Sequence, residues 1–222
     1  METEKALSAN ELTMELDPSE EEHASPRAEA GLEKDSSHRI CPWWLGYLFL
    51  SPLRTWMENP ARVLRPHVKP GMRAVDVGCA MGFFSLPLAE QVGPKGAVVC
   101  VDLQEKMISR LIARARRAGM RDRIDARTCT ANSLGLRDLD GTIDFVLAYH
   151  VVHEVPDAGA HFRELHRLLK PGGVLLYVEP KGHVKKTEFT RLFRCALAAG
   201  FTCEPAESPA LKRNHSALFR RP

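Results

Sequence analysis

Between Asp76 and Gly82 the chain reads Asp-Val-Gly-Cys-Ala-Met-Gly, an acid followed by small residues at every second position. The run before it, Ala74 to Val77, is apolar and β-branched, so the acid closes a strand; Phe83 to Val92 then reads as a helix. Strand, small-residue turn and helix start together make a nucleotide-cofactor pocket. The turn lets backbone approach a ligand, and the helix start offers unpaired N–H groups. A carboxylate closing a buried strand, here Asp76, needs a partner, and a cationic ligand group would supply one. Asp102 closes a second apolar run twenty residues past Gly82, where a carboxylate can accept from both hydroxyls of a ribose. His150, in Ala148-Tyr149-His150, and His183, in Lys181-Gly182-His183, follow two further strands and are the candidate general bases. His153 falls at the start of the next helix and reads as structural. His38, Cys41, His150 and His153 show no compact ligand spacing, so no metal site is expected.

These residues need a scaffold, and the chain supplies an alternation of strands and helices. Strands are expected at Arg73–Val77, Ala97–Val101, Ile124–Cys129, Asp144–Tyr149, Val174–Val178, Phe201–Glu204 and Ser216–Arg220. Helices are expected at Phe83–Val92, Glu105–Ala118, His161–Leu169 and Thr187–Ala199, and Pro171-Gly172-Gly173 reads as a turn. Strands separated by such helices predict an α/β fold: a parallel sheet with helices on both faces. The last two strands lack an intervening helix, so the final strand should be antiparallel.

A hydride-cofactor fingerprint, G-x-G-x-x-G, does not fit, because its third glycine would fall on Phe83. The spacing Asp76-x-Gly78-x-Ala80-x-Gly82 instead resembles motif I of the class I S-adenosylmethionine-dependent methyltransferases. Alanine at position 80 is a departure that asks position 80 to avoid a strained φ. The loop Ala148 to Asp157 resembles that of small-molecule methyltransferases, especially the group that includes quinone-biosynthesis enzymes. Leu169 to Leu176 is similar to the family's turn into its fifth strand. The resemblance implies a Rossmann-like three-layer sandwich of seven strands, mostly parallel, with the last antiparallel. It implies S-adenosyl-L-methionine as cofactor, with Asp76 toward the methionine ammonium, Gly78, Ala80 and Gly82 admitting its backbone, and Asp102 on the ribose. Leu103, with Met107, would flank the adenine, and Thr130 or Asn132 would touch its amino group. Tyr149 joins the cofactor set. The Asn/Asp-Pro-Pro-Tyr motif of amino methyltransferases is missing after strand four, which counts against those nucleic-acid classes.

Composition sets the rest. Of 31 basic and 28 acidic residues, residues 1–37 hold only Lys5, Arg27 and Lys34 against eleven acids, leaving 28 bases and 17 acids, net +11, for residues 38–222. The first segment has no aromatic residue and no apolar period, so a disordered acidic tail is expected over 1–37. A helical cap or lid is expected over 38–69, ahead of the catalytic domain at 70–222. Its adjacent Trp43 and Trp44 cannot share one helix face, and with Tyr47 they lean toward a hydrophobic or aromatic acceptor. Pro52 and Pro60 each open a short helical stretch. Six scattered cysteines without a C-x-x-C pair, and no signal-peptide pattern, read as a cytoplasmic protein. The cluster Arg114, Arg116, Arg117, Arg121, Arg123 and Arg127 lacks interleaved aromatics, which weakens a nucleic-acid reading. The expected function is methyl transfer to a small or lipid-like acceptor. RNA or protein as acceptor, or a non-catalytic cofactor-binding partner subunit, are the alternatives.

Overall fold

A computed structural model describes residues 58–204, 211–212 and 214–222. The expected acidic tail, the stretch opened by Pro52, and Trp43, Trp44 and Tyr47 of the cap lie outside the described residues. The first described element is α1 (Pro60–Leu64), with Pro60 in its first turn and Asn59 as N-cap, its Oδ1 accepting from Arg62 N–H at 3.2 Å. There follow β1 (Arg73–Val77), α2 (Ser85–Val92), β2 (Ala97–Asp102), α3 (Glu105–Arg117), β3 (Ile124–Thr128) and β4 (Ile143–Tyr149). The chain continues through α4 (Ala158–Leu168), β5 (Leu169–Pro180), α5 (Lys186–Ala198), β6 (Thr202–Glu204) and β7 (Asn214–Arg220).

The seven strands form one sheet in the order β3-β2-β1-β4-β5-β7-β6. All pairings up to β5 are parallel, and β7 runs antiparallel between β5 and β6, as the missing helix before it requires. The order reverses between β1 and β4, the neighbours whose carboxyl ends form the crevice where such sheets bind ligands. Alternation along the strands splits the core into two layers. Leu147, Leu176 and Val178 face Leu64, Leu88, Ile108 and Leu111 of α1 to α3. On the other face Tyr177 stacks on Phe189 of α5 and meets Phe162 of α4 edge-on. This is the expected three-layer Rossmann-like α/β fold.

Three of the differences from expectation have clear local reasons. Helix α2 begins at Ser85, not Phe83, because Gly82 has φ +83° and cannot enter a right-handed helix. Helix α4 begins at Ala158, three residues before the expected His161, because the Asp157 carboxylate accepts from Ala160 N–H at 2.8 Å and caps it. Asp157→Ala should therefore lower stability by about 1 kcal/mol, read as a lower urea midpoint with unchanged slope. Pro171-Gly172-Gly173 is not a turn between elements but a bulge inside β5. Pairing with β4 jumps from Ile143–Leu169 to Phe145–Val174, and Gly172 and Gly173 exchange backbone bonds with Arg221.

Much of the arginine cluster serves internal contacts. Arg114 donates to the Met81 carbonyl, Arg121 to Ile124 O, Arg123 to Ala89 O, and Arg127 bridges Asp125 and Asp138. Among the described residues no helix is long and apolar enough to cross a membrane.

Candidate active site

The turn after β1 is left-handed at alternate residues: φ is +68° at Gly78, +45° at Ala80 and +83° at Gly82. That is the physical reason for small residues at every second position. Ala80 therefore does adopt the strained φ that its identity was expected to avoid. An L-residue there costs about 1–2 kcal/mol, and Asp102 supplies a compensating contact. Asp102 Oδ2 accepts from Ala80 N–H and Oδ1 from Gln104 N–H, both at 2.9 Å. The acid at the end of β2 thus braces the turn at the end of β1. Burial pushes the Asp102 carboxyl above the usual range, and the two N–H bonds pull it partly back.

Asp76 is 3% exposed and accepts from the Ser85 hydroxyl at 2.6 Å. Burial raises its pKa to about 7; the Ser85 bond opposes that rise and the Asp102 charge adds to it. Ser85 was not singled out from sequence, although its place in the first turn of the following helix was a usable signal. Leu103 is the exposed large hydrophobic side chain among the described residues, at 41%, next to Asp102. Met107, one turn into the next helix, is buried instead. Asn132 and Thr130 lie exposed in the loop after β3, which Glu164 holds through Ser133 Oγ and Leu134 N–H, both at 2.8 Å.

At the end of β4 the Tyr149 ring is buried between Phe84 and His150, each 4.3 Å away between centroids. Asn214 of β7 ties this end together. Its Nδ2 donates to the Tyr149 hydroxyl at 3.1 Å, while Oδ1 faces His150 Nε2 at 2.9 Å. His150 has φ +60° and donates its backbone N–H to Val178 O. Val151 then lies over the β1 turn: a Cβ on Gly78 would stand 2.7 Å from its Cγ2. His153, two residues on, bonds through Nδ1 to the carboxylate of Glu179 at 2.6 Å, and Glu179 is fully buried. His183 is exposed, its ring edge-on to His153 with centroids 5.1 Å apart. The structure therefore groups Asp76, Gly78, Ala80, Gly82, Asp102 and Leu103 around β1 and β2, and Tyr149, His150, His153 and His183 around β4 and β5. A cavity of about 270 Å³ lined by Pro60, Phe83, Leu86, Arg114 and Met120 lies among α1, α2 and α3, away from these strand ends. No group of three or more His, Cys, Asp or Glu among the described residues is arranged to hold a metal.

An open, doubly wound sheet with acids closing β1 and β2 is the architecture of a class I methyltransferase. Comparison with known proteins agrees: a methyltransferase-domain family matches residues 75–177. The matched residues, a little under half of the chain, carry a methyltransferase domain, and with the fold they support a class I S-adenosylmethionine-dependent methyltransferase. Among its relatives is a demethylmenaquinone methyltransferase of Geobacillus kaustophilus, 32% identical over 124 residues, 56% of this chain and 51% of that protein. The chain thus spans about half the length of the curated relatives it matches. A solved S-adenosylmethionine-dependent methyltransferase from Aquifex aeolicus shares the fold with a TM-score of 0.72 at 22% identity, covering 82% of this chain and all of that one. The [4+2]-cyclase SpnF also shares it, with a TM-score of 0.57 at 24% identity, covering 66% of this chain and 58% of that one. One sheet hosts different reactions, so the acceptor must be argued from the site.

Proposed function

We propose that this chain transfers a methyl group from S-adenosylmethionine to a small or lipid-like acceptor, with an aromatic hydroquinone as the favoured class. The donor half rests on one observation: Asp102 closes β2 against the left-handed turn, beside exposed Leu103. A carboxylate already positioned by two N–H bonds retains lone pairs for a ribose, and Leu103 offers an apolar face for adenine. Gly78, Ala80 and Gly82 keep side-chain bulk out of the donor's path, and Asn132 stands near the adenine edge. Asp76, held in a desolvated place, suits the methionine ammonium, because a bound cation restores its ionised form. The residues present fit this cofactor. When bound, S-adenosylmethionine supplies a methyl carbon whose bond to a sulfonium sulfur breaks as the acceptor's bond forms, leaving a neutral thioether. The acceptor half is supported by the demethylmenaquinone methyltransferases among the relatives and by the Phe84 and Tyr149 rings packed together at the end of β4.

The donor reading has a calorimetric test. With Asp76 near pKa 7 in the free protein, most of it is protonated at pH 6. A bound ammonium favours the carboxylate, so binding should release roughly one proton per site at pH 6, and affinity should rise with pH until about 7. Heats measured in buffers of different ionisation enthalpy report that proton, and Asp76→Asn should abolish it. Tighter binding of NAD than of S-adenosylmethionine would refute the reading. For the acceptor, labelled methyl transfer into a cell extract fractionated into lipid, small-molecule, RNA and protein pools should place the label in the first two. Label confined to RNA or protein would overturn that half.

A further inference from the structure

We propose that His153, braced by Glu179, is the general base that takes the acceptor's proton; this rests on the methyl-transfer reading above. Glu179 is fully buried at the carboxyl end of β5, and both of its oxygens are committed to one residue. Oε1 accepts from the His153 backbone N–H at 3.1 Å and Oε2 pairs with Nδ1 at 2.6 Å. A carboxylate on Nδ1 fixes the tautomer with Nδ1 protonated, which leaves Nε2 as the nitrogen able to accept a proton. The His153 side chain is 12% exposed, so it is shielded but reachable.

His150 is held differently. With Asn214 Nδ2 donating to Tyr149, Oδ1 makes His150 Nε2 the donor, so this nitrogen is tied to a neutral amide and not to a carboxylate. The dyad is placed for the acceptor rather than the cofactor. Val151 packs over Gly78, so the turn carrying His153 lies beside the β1/β4 switch point, and Glu179 extends it over β5. Asp102 and Leu103 stand on the opposite side, at β2. In such a crevice the nucleotide takes one side of the switch, and the β4/β5 side remains for a second molecule.

Every charged or titratable group facing His153 acts on the same proton. Burial opposes the imidazolium, but the Glu179 bond and charge, with Glu154 and Glu188 adding, outweigh it and hold His153 above the ordinary histidine range. Glu154 contributes from the same turn, its Oε1 3.9 Å from Nε2, and His183 lies against the ring. Tyr177, beneath Glu179, is pushed far up by burial and then by the Glu179 charge, so it stays protonated. In the step, the acceptor's O–H proton moves to Nε2 and its electron pair remains on the acceptor, where it raises nucleophilicity toward the methyl carbon. The imidazolium stays paired with Glu179 and later loses the proton to water.

The test uses the full chain and two variants, His153→Gln and Glu179→Gln. Proton NMR titration should give His153 a pKa above 6.5 in the natural protein. In Glu179→Gln it should fall, because the paired charge is gone. With labelled S-adenosylmethionine and 1,4-dihydroxynaphthalene as probe, His153→Gln should lower kcat by about a hundredfold or more, leaving donor affinity by calorimetry unchanged. Glu179→Gln, a positioning change, should lower kcat less and move the acid limb of its pH profile down with the NMR value. An ordinary His153 pKa that Glu179→Gln leaves in place, or kcat within threefold in His153→Gln, would overturn the proposal. If the natural protein fails to bind S-adenosylmethionine, the methyl-transfer reading fails first. If it binds but does not methylate the probe, the dyad stands or falls on the titration. Should Glu179→Gln not fold, the titration of the natural protein and the kcat of His153→Gln decide.

Discussion

Asp102→Ala is expected to weaken S-adenosylmethionine binding by about a hundredfold, the largest loss of affinity for any single site residue. Two losses combine. The ribose loses an ionised acceptor, and hydrogen bonds to charged groups contribute about 1.5–3 kcal/mol each. The β1 turn also loses its brace, because Ala80 N–H and Gln104 N–H both point at this carboxylate. Ala80, at φ +45°, then keeps an unfavourable conformation with nothing holding it. Asp102→Asn should fall between the two, since one carbonyl oxygen can still accept while the amide must turn a donor toward an N–H. Calorimetry of the three proteins gives the ranking. Affinity within threefold of the natural protein in Asp102→Ala would remove Asp102 from the site.

Gly82→Ala should lower stability by about 3 kcal/mol. Its φ of +83° is one that L-residues reach at a cost of about 1–2 kcal/mol. The added Cβ would also stand 2.4 Å from Leu111 Cδ1, inside any real contact. Leu111 is fully buried in the layer under α2 and α3, so relief means overpacking, at a further 1–3 kcal/mol. For a chain of this size that total corresponds to a drop in Tm of roughly 6–12 °C. Leu111→Ala opens the space, so the double variant should lose clearly less than the two single losses added together. Strict additivity in chemical denaturation would show that the contact is not the cause, leaving backbone conformation alone.

The fold was largely legible because it was written in local rules. β-Branched runs marked the strands, helical spacing marked the helices, and Asp76 and Asp102 showed themselves as acids closing apolar runs. Glu179 obeys that same rule in Tyr177-Val178-Glu179-Pro180. What could not be read was pairing across distance. Ser85 with Asp76 is nine residues apart, His153 with Glu179 twenty-six, and His150 with Asn214 sixty-four. The bulge at Gly172 also escaped, since a Pro-Gly-Gly stretch reads as a chain reversal until Arg221 is seen beside it.

The sequence alone determined the architecture, because side-chain periodicity and the steric demands of a left-handed turn act over a few residues, and the resemblance of its motifs to class I methyltransferases implied the kind of cofactor. Only the tertiary structure decided which ionisable groups meet, because that depends on strand order. β5 lies beside β4 and β7 lies beside β5, and this adjacency brings a buried Glu179 to His153 and an Asn214 to His150. The same two histidines, three positions apart in the chain, thereby donate through different ring nitrogens, His153 through Nδ1 to a carboxylate and His150 through Nε2 to a neutral amide.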